Sequence, residues 1–238
     1  MKKIILLSMI ASGMLLASSV TNLTTNIDNE ISNGSSAGLM ITDANISQGH
    51  TIVSGDSDIN GLYITETANT ITDTTVSSAT VTQGLTDINS GTVNNSSLTS
   101  TNTISGSAIT TEATVNQGST IVNDGAELED TEVISENVLM GIVENGSKVS
   151  QATLELNGEG TELDGTSIIK TTNTIVANID DSEVHQARVR IGGGYKVSAL
   201  NISETNNLLS NVTAGSTVIQ GGLDVCSHGG DASDWCED

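Results

Sequence analysis

The stretch Ala79-Thr80-Val81-Thr82-Gln83-Gly84 returns 34 residues later as Ala113-Thr114-Val115-Asn116-Gln117-Gly118. Weaker copies begin at Ala44, Ala152 and Ala187, and a truncated copy covers Ser216 to Gly221. The intervals between the complete copies are 35, 34, 39 and 35 residues. A fixed period of this size indicates a solenoid, a propeller or another array of repeats.

Inside the repeat, apolar and polar residues alternate, as expected for a strand with one buried face. Val81 is therefore expected in a core, Thr80 and Thr82 outside it, and Gly84 at a corner. Each unit also divides in two, because its aliphatic residues recur after 16 or 17 positions. The aliphatic residues that show this half-period are Val81, Ile88 and Val93, matched by Leu98, Ile104 and Ile109.

These patterns predict an all-β protein, a parallel β-helix (β-solenoid) of about five 35-residue units with two rungs each and terminal caps. Ten rungs at a spacing of about 4.8 Å would make a stack of roughly 48 Å. A propeller blade would carry aromatic markers, and the chain contains no Phe, one Trp and two Tyr. Helical repeats are excluded, because no 3.6-residue periodicity runs through units rich in Thr, Asn and Gly.

One asparagine recurs late in every unit, directly before aliphatic or Thr positions. Stacked rungs place like residues over like, so these side chains are expected to form a hydrogen-bonded amide ladder at one corner. The asparagines predicted to form this ladder are Asn69, Asn102, Asn137, Asn173 and Asn207.

The first residues have the features of a secretion signal. Lys2 and Lys3 precede the apolar run from Ile4 to Leu16, and small residues then allow cleavage after Ser19. The apolar run is too short for a membrane span, and no second candidate span follows. The sequence thus predicts a signal peptide over 1–19 and a mature chain that is secreted or on the cell surface, with no membrane span.

The rest of the chain divides into three parts. Residues 20–43 are polar and irregular, and form either a flexible lead-in or a first rung that caps the core. Residues 44–222 hold the repeats, and residues 223–238 form a C-terminal cap. An exported chain allows a disulfide between Cys226 and Cys236 in that cap, although a metal site with His228 is an alternative.

The charge balance limits the class of partner. Seven Lys and Arg against 29 Asp and Glu give a formal net charge of −22, which disfavours nucleic acid and anionic membranes as partners because their phosphates would be repelled. The acidity keeps an extended protein soluble and is compatible with weak binding of divalent cations. No other cofactor is expected.

Asp56, Asp58 and Asn60 resemble the start of a calcium loop, with oxygen ligands at alternate positions followed by Gly61. The twelfth position is Thr67, where a calcium loop needs Glu, so a simple corner turn explains the same residues. The calcium site and the corner turn both stay open at this point.

One charged cluster is the nearest approach to a catalytic site. Asp180, Asp181 and Glu183 lie close in sequence to Arg188 and Arg190, the kind of set that some β-helix enzymes use on acidic polysaccharides. Aromatic platforms for sugars are missing, and no nucleophile–base–acid set is found. A solvated charged face explains the cluster without catalysis, and the chain is expected not to be an enzyme.

Residues 44–222 share several general features with a known group of proteins. These features are the repeat period, the Asn and Gly residues at corners and the Val, Ile and Thr residues in the rungs, together with the signal peptide that precedes them. The chain resembles bacterial secreted β-solenoid proteins of the adhesin or haemagglutinin type. The resemblance implies an exported, non-enzymatic structural or adhesive subunit of a surface fibre or extracellular matrix. Expected partners are further copies of the chain or other surface proteins, with carbohydrate as a further candidate. The alternatives are a carbohydrate-active β-helix enzyme and a calcium-dependent binding module.

Overall fold

The structure, a computed structural model, describes residues 13–14, 19–32, 39–54, 58–123, 125–156, 162–164, 168–191, 196–197, 201–213 and 215–225. Every regular element among these residues is a β-strand. The first twelve strands are β1 (Gly13–Met14), β2 (Ser19–Ser32), β3 (Leu39–Thr42), β4 (Asn45–Gln48), β5 (Thr51–Ser54), β6 (Asp58–Thr72), β7 (Thr74–Ser77), β8 (Thr80–Gln83), β9 (Thr86–Asn89), β10 (Thr92–Asn94), β11 (Ser97–Thr110) and β12 (Thr114–Gln117). The second twelve are β13 (Thr120–Asn123), β14 (Glu127–Glu129), β15 (Glu132–Val143), β16 (Lys148–Gln151), β17 (Leu154–Leu156), β18 (Glu162–Asp164), β19 (Ile168–Ile179), β20 (Glu183–Ile191), β21 (Lys196–Val197), β22 (Asn201–Leu208), β23 (Asn211–Val212) and β24 (Thr217–Val225).

Within the described part of the chain, the strands stack in parallel as a β-solenoid with two sheets of 11 and 13 strands. In the first sheet β4, β8, β12, β16, β20 and β24 follow one another as hydrogen-bonded neighbours. In the second, β2, β6, β11, β15, β19 and β22 do the same. The all-β parallel β-helix predicted from the repeat is confirmed.

The predicted two rungs per unit are wrong. Thr80 pairs directly with Thr114, and Thr114 with Lys148, so one unit makes one complete turn. Each turn contains four successive strands, as β8, β9, β10 and β11 illustrate. Six strands at about 4.8 Å each, counted as the ten rungs were, make a stack of only roughly 29 Å instead of the expected 48 Å.

Alternation places the core as the repeat predicted. Val81 is fully buried, and the flanking Thr80 and Thr82 point outward with intermediate exposure. Gly84 turns the corner after this strand with a φ of +65°. Other corners use Asp73 and Asn95, which also adopt positive φ, as short polar side chains permit.

The buried apolar residues that the structure describes form two separate clusters. The first lobe joins Val81 of β8 to Ile104 and Ile109 of β11 and to their equivalents in neighbouring turns. The second lobe joins Ile88 of β9 to Val93 of β10 in the same way. Since β11 contributes Leu98 to the second lobe and Ile104 to the first, one strand spans both.

Two of the predicted repeat copies are out of register with the fold. Lys148–Gln151 pairs with Thr114–Gln117, and Glu183–Gln186 pairs with Lys148–Gln151. The positions equivalent to Ala113 are Ser147 and Ser182, so the copies placed at Ala152 and Ala187 start five residues late, and the 39-residue interval disappears. In these turns Ala follows the Gln, and a chance Gly further along misled the alignment.

The segments outside the main repeat are partly described. Residues 20–43, left open as a lead-in or a first rung, contribute most of β2 together with β3, which pair in register with β6 and β7. Of the predicted signal peptide, Gly13–Met14 pairs with Thr51–Ile52, and Ser19 begins β2. The predicted C-terminal cap contributes the end of β24, and its remaining residues, with Cys226 and Cys236, lie outside the described ones.

None of the described residues belongs to a helix long and apolar enough to cross a membrane.

Candidate functional site

A ladder of glutamine side chains runs through the interior of the first sheet. Gln83 Nε2 donates to Gln48 Oε1 at 2.8 Å, and Gln117 Nε2 donates to Gln83 Oε1 at 3.0 Å. The ladder continues in the same direction through Gln151 and Gln186 to Gln220, which donates to Gln186 at 2.7 Å. We call this set of six residues the glutamine ladder.

A second ladder of asparagine side chains runs through the facing sheet. Asn69 Nδ2 donates to Asn102 Oδ1, Asn102 to Asn137, and Asn137 to Asn173, each at 2.8 Å. Asn29 extends this asparagine ladder at its N-terminal end, where its Nδ2 donates to Asn69 Oδ1 at 2.9 Å.

The C-terminal end of the asparagine ladder differs from the prediction. Asn173 Nδ2 donates to Asn206 Oδ1 at 2.8 Å, and the predicted Asn207 is an exposed neighbour on the outward face. Four of the five predicted residues, Asn69, Asn102, Asn137 and Asn173, lie in the ladder. The prediction of Asn207 is wrong by one position: Asn206 occupies the ladder, and Asn207 points to the opposite face because adjacent residues of a strand alternate.

The two ladders meet between the apolar lobes and form what we call the amide spine. Gln117 Nε2 reaches across to the main-chain oxygens of Asn102 at 3.2 Å and Val138 at 3.4 Å. Gln186 makes the equivalent contact to Asn207 O at 3.3 Å. The two sheets therefore approach closely here, and the spine joins them across the interior.

Glycine makes this approach possible. A Cβ placed on Gly84 would lie 2.6 Å from Asn102 Nδ2, and one on Gly118 would lie 1.9 Å from Ser135 Oγ. In later turns Ala152 and Ala187 occupy this corner with φ of 55° and 57°. Around Gly84 and Gly118 the spine therefore leaves no room for a Cβ.

The glutamine ladder was missed by sequence reasoning. Gln48, Gln83 and Gln117 each precede Gly in the repeat, and this looked like the polar end of a turn. The signal was present in the regular spacing: consecutive ladder members are 34 or 35 residues apart throughout. A buried glutamine needs amide partners, which a like residue in the next turn supplies.

A shallow groove of about 390 Å³ lies on the outer face of the first sheet. Its floor includes Thr82, Asn116, Ser150 and His185, which are equivalent outward positions of successive turns. Arg188 and Arg190 line its C-terminal end. In an acidic protein, this groove brings several basic side chains together.

The charges in the groove are paired. Lys148 Nζ lies 3.3 Å from Glu183 Oε2, and Arg190 Nη1 lies 3.3 Å from Glu155 Oε1. His185 Nε2 lies 2.5 Å from Glu183 Oε1. Burial by itself would raise the pKa of Glu183, but its hydrogen bonds and charge interactions with His185 and Lys148 outweigh this effect and lower the pKa.

The charged cluster singled out in the sequence is divided by the fold. Glu183, Arg188 and Arg190 line the groove, whereas Asp180 and Asp181 are exposed at the corner between β19 and β20. At that corner Gly146 N–H donates to Asp181 O at 2.7 Å, and the Thr213 hydroxyl contacts the Asp180 carboxylate. The five side chains therefore do not form one site.

The predicted calcium ligands are partly described. Asp58 and Asn60 belong to β6, where they pair with Thr92 and Asn94, and Asp56 lies outside the described residues. Among the residues that the structure describes, no group of three or more His, Cys, Asp or Glu could hold a metal ion.

No known protein family matches the chain, and no curated protein is significantly similar to it. The class defined by the fold is that of parallel β-solenoids, here with two apolar lobes and an amide spine between them.

Proposed function

We propose that the protein is an exported, non-enzymatic β-solenoid that serves as a structural or adhesive subunit of a surface fibre or extracellular matrix and associates with further copies of itself. The observation that carries this proposal is the continuity of the repeat up to the end strands. The glutamine ladder includes β4 and β24, and the asparagine ladder includes β2 and β22. Such end strands can pair with a further copy.

Three features of the chain support a structural role. The interior is devoted to stacking identical side chains, which gives a rigid rod rather than an adaptable site. The leader with Lys2 and Lys3 supports export to the cell surface. The net charge of −22 favours protein or neutral carbohydrate partners over polyanions.

Electron microscopy and light scattering of the purified secreted protein test this proposal. Fibres or a concentration-dependent rise in mass are expected, with and without calcium. Strictly monomeric behaviour at high concentration in both conditions would rule out the self-associating subunit.

The groove favours one second candidate, a carbohydrate-active β-helix protein. It offers hydroxyl and amide groups from Thr82, Asn116 and Ser150 beside the ion pair of Arg190 and Glu155. These are groups that bind sugar hydroxyls. Turnover on a broad panel of polysaccharides, lost in Glu183→Gln and Arg188→Ala variants, would support an enzyme; an inactive wild type on the whole panel argues against it.

A further inference from the structure

The two ends of the solenoid present the same inward residues in the same columns. Ile31, Ile41 and Ile46 stand at the N-terminal ends of three columns of the first lobe. At the C-terminal ends of these columns stand, in the same order, Leu208, Val212 and Val218. A second copy placed on the C-terminal end would therefore continue every one of these columns with an aliphatic residue.

The ladders add a direction to this match. In the asparagine ladder each side chain donates toward the C-terminal end, so the outermost donor is Asn206 Nδ2 and the outermost acceptor is Asn29 Oδ1. In the glutamine ladder each side chain donates toward the N-terminal end, so the outermost acceptor is Gln220 Oε1 and the outermost donor is Gln48 Nε2. Each end thus carries one donor and one acceptor, and opposite ends are complementary.

We propose that copies of the processed chain stack head to tail, with β22 and β24 of one copy pairing with β2 and β4 of the next, so that both amide ladders continue across the junction. Asn206 would then donate to Asn29 of the next copy, and Gln48 of that copy would donate to Gln220. This inference rests on the self-association proposed above and adds its geometry. Such a contact is heterologous and does not close, so it generates a filament.

Pairing of two like ends is disfavoured for the same reason. It would run the joined strands antiparallel, so the columns of Ile, Asn and Gln would not continue. Each ladder laid on the same ladder of a like end would set acceptor against acceptor or donor against donor, and buried amides without partners are unfavourable.

Two features control access to these ends. β1, from the predicted signal peptide, pairs with β5 at the N-terminal end, so removal of residues 1–19 frees that edge. At the other end, Thr171 pairs with Glu204, which puts a carboxylate into a column that holds Ser135 and Thr171 in preceding turns. An inward charge at a sheet end opposes edge pairing. Stacking of the wild type is therefore expected to be weak.

Two end variants of the secreted chain test the direction of stacking. Asn29→Lys blocks the N-terminal end and Gln220→Lys blocks the C-terminal end; circular dichroism and urea midpoints check that each is folded. In analytical ultracentrifugation, each variant alone should sediment as a monomer, and an equimolar mixture should form a dimer and nothing larger. Glu204→Gln should lower the concentration needed for assembly by about tenfold or more, since it removes the charge that stacking buries.

The contrary outcomes are separable. A dimer formed by either lysine variant alone means like-end pairing and overturns the head-to-tail contact. Full polymerisation of both lysine variants keeps the proposed self-association but places it on another surface. A wild type that stays strictly monomeric at high concentration overturns both the head-to-tail contact and the self-association on which it rests. If either lysine variant fails to fold, Asn29→Ala and Asn206→Ala replace the pair, and unchanged assembly of both overturns the proposal.

Discussion

Gly84 lies so close to Asn102 that a single methyl group on its Cα would come within 2.6 Å of the asparagine amide. The backbone at Gly84 also has a φ of +65°, which residues with a Cβ adopt at a cost. Both effects have one origin, the close approach of the two sheets at the amide spine.

Gly84→Ala is therefore expected to lower the free energy of unfolding by about 3 kcal/mol, combining roughly 1–2 kcal/mol for the positive φ with the displacement of Asn102. Urea denaturation followed by circular dichroism measures the change. Ala187→Gly is the matched control, since this corner already accepts a methyl group, and its effect should stay within about 1 kcal/mol. Equal losses in both variants would contradict a steric conflict at Gly84.

Asn137 is a central member of the asparagine ladder, and it is fully buried. Asn137→Leu would remove the 2.8 Å acceptor of Asn102 Nδ2, which keeps only its 3.3 Å bond to Ser100 Oγ, and the donor to Asn173 Oδ1. Because these amides lie in the interior, a loss of about 2–4 kcal/mol is expected. Asn178 serves as the control because it makes the same kind of stacked amide bond, to Asn211, on the exposed surface. Asn178→Leu should change the stability by no more than about 0.5 kcal/mol in the same urea titration.

His50 follows Gly49 at the corner where Leu85 follows Gly84 one turn later. Burial lowers the pKa of His50 below its ordinary value of 6.5, although the Asp87 charge and a hydrogen bond to the Thr82 backbone oppose this. His50 is therefore harder to protonate in the folded state than in the unfolded state, so the unfolded state binds more protons below pH 6.5. The free energy of unfolding should fall as the pH drops through 6.5.

His50→Leu should remove that part of the pH dependence. The measurement compares urea midpoints of wild type and variant at about pH 8 and about pH 5.5, on either side of the histidine pKa. The stability lost on acidification should be smaller in the variant. An identical loss in both proteins would show that His50 does not contribute.

Glu183 should act in the opposite sense at lower pH. Its pKa is lowered below its ordinary value of 4.5, so its ion pair with Lys148 and its hydrogen bond with His185 stabilise the fold above that value and are lost as the pH falls further. Because these groups are partly exposed, Lys148→Met should cost no more than about 0.5 kcal/mol near pH 7, and less in high salt. The difference between wild type and variant should disappear in acid, as thermal melts can measure.

The spacing of the repeat was readable from the sequence, but the number of turns that each repeat makes was not. Val81 and Leu98 are 17 residues apart and looked like the same position of two successive rungs. They lie instead in the two different lobes of one turn, because each turn closes around two apolar clusters. Hydrophobic periodicity reports burial and does not distinguish two cores in one turn from one core in two turns.

Of the two ladders in the amide spine, the sequence predicted the asparagine ladder but not the glutamine ladder. Asparagine before aliphatic residues suggested a ladder, and four of its members were identified. The pair Asn206-Asn207 was resolved wrongly, because a shift of one residue exchanges the two faces of a strand and only the register decides between them. The glutamines were overlooked because their burial depends on the facing sheet, which sequence periodicity does not report.

The single-turn period has a consequence for how such a chain can vary in length. Thr114 N already bonds to Ala79 O of the preceding turn, so excision of residues 80–113 would join two positions that are already neighbours. Every remaining side chain would keep its column, its lobe and its amide partner type. The gene can therefore gain or lose whole turns by recombination between repeats, with the protein growing or shrinking by one strand spacing and its cross-section unchanged.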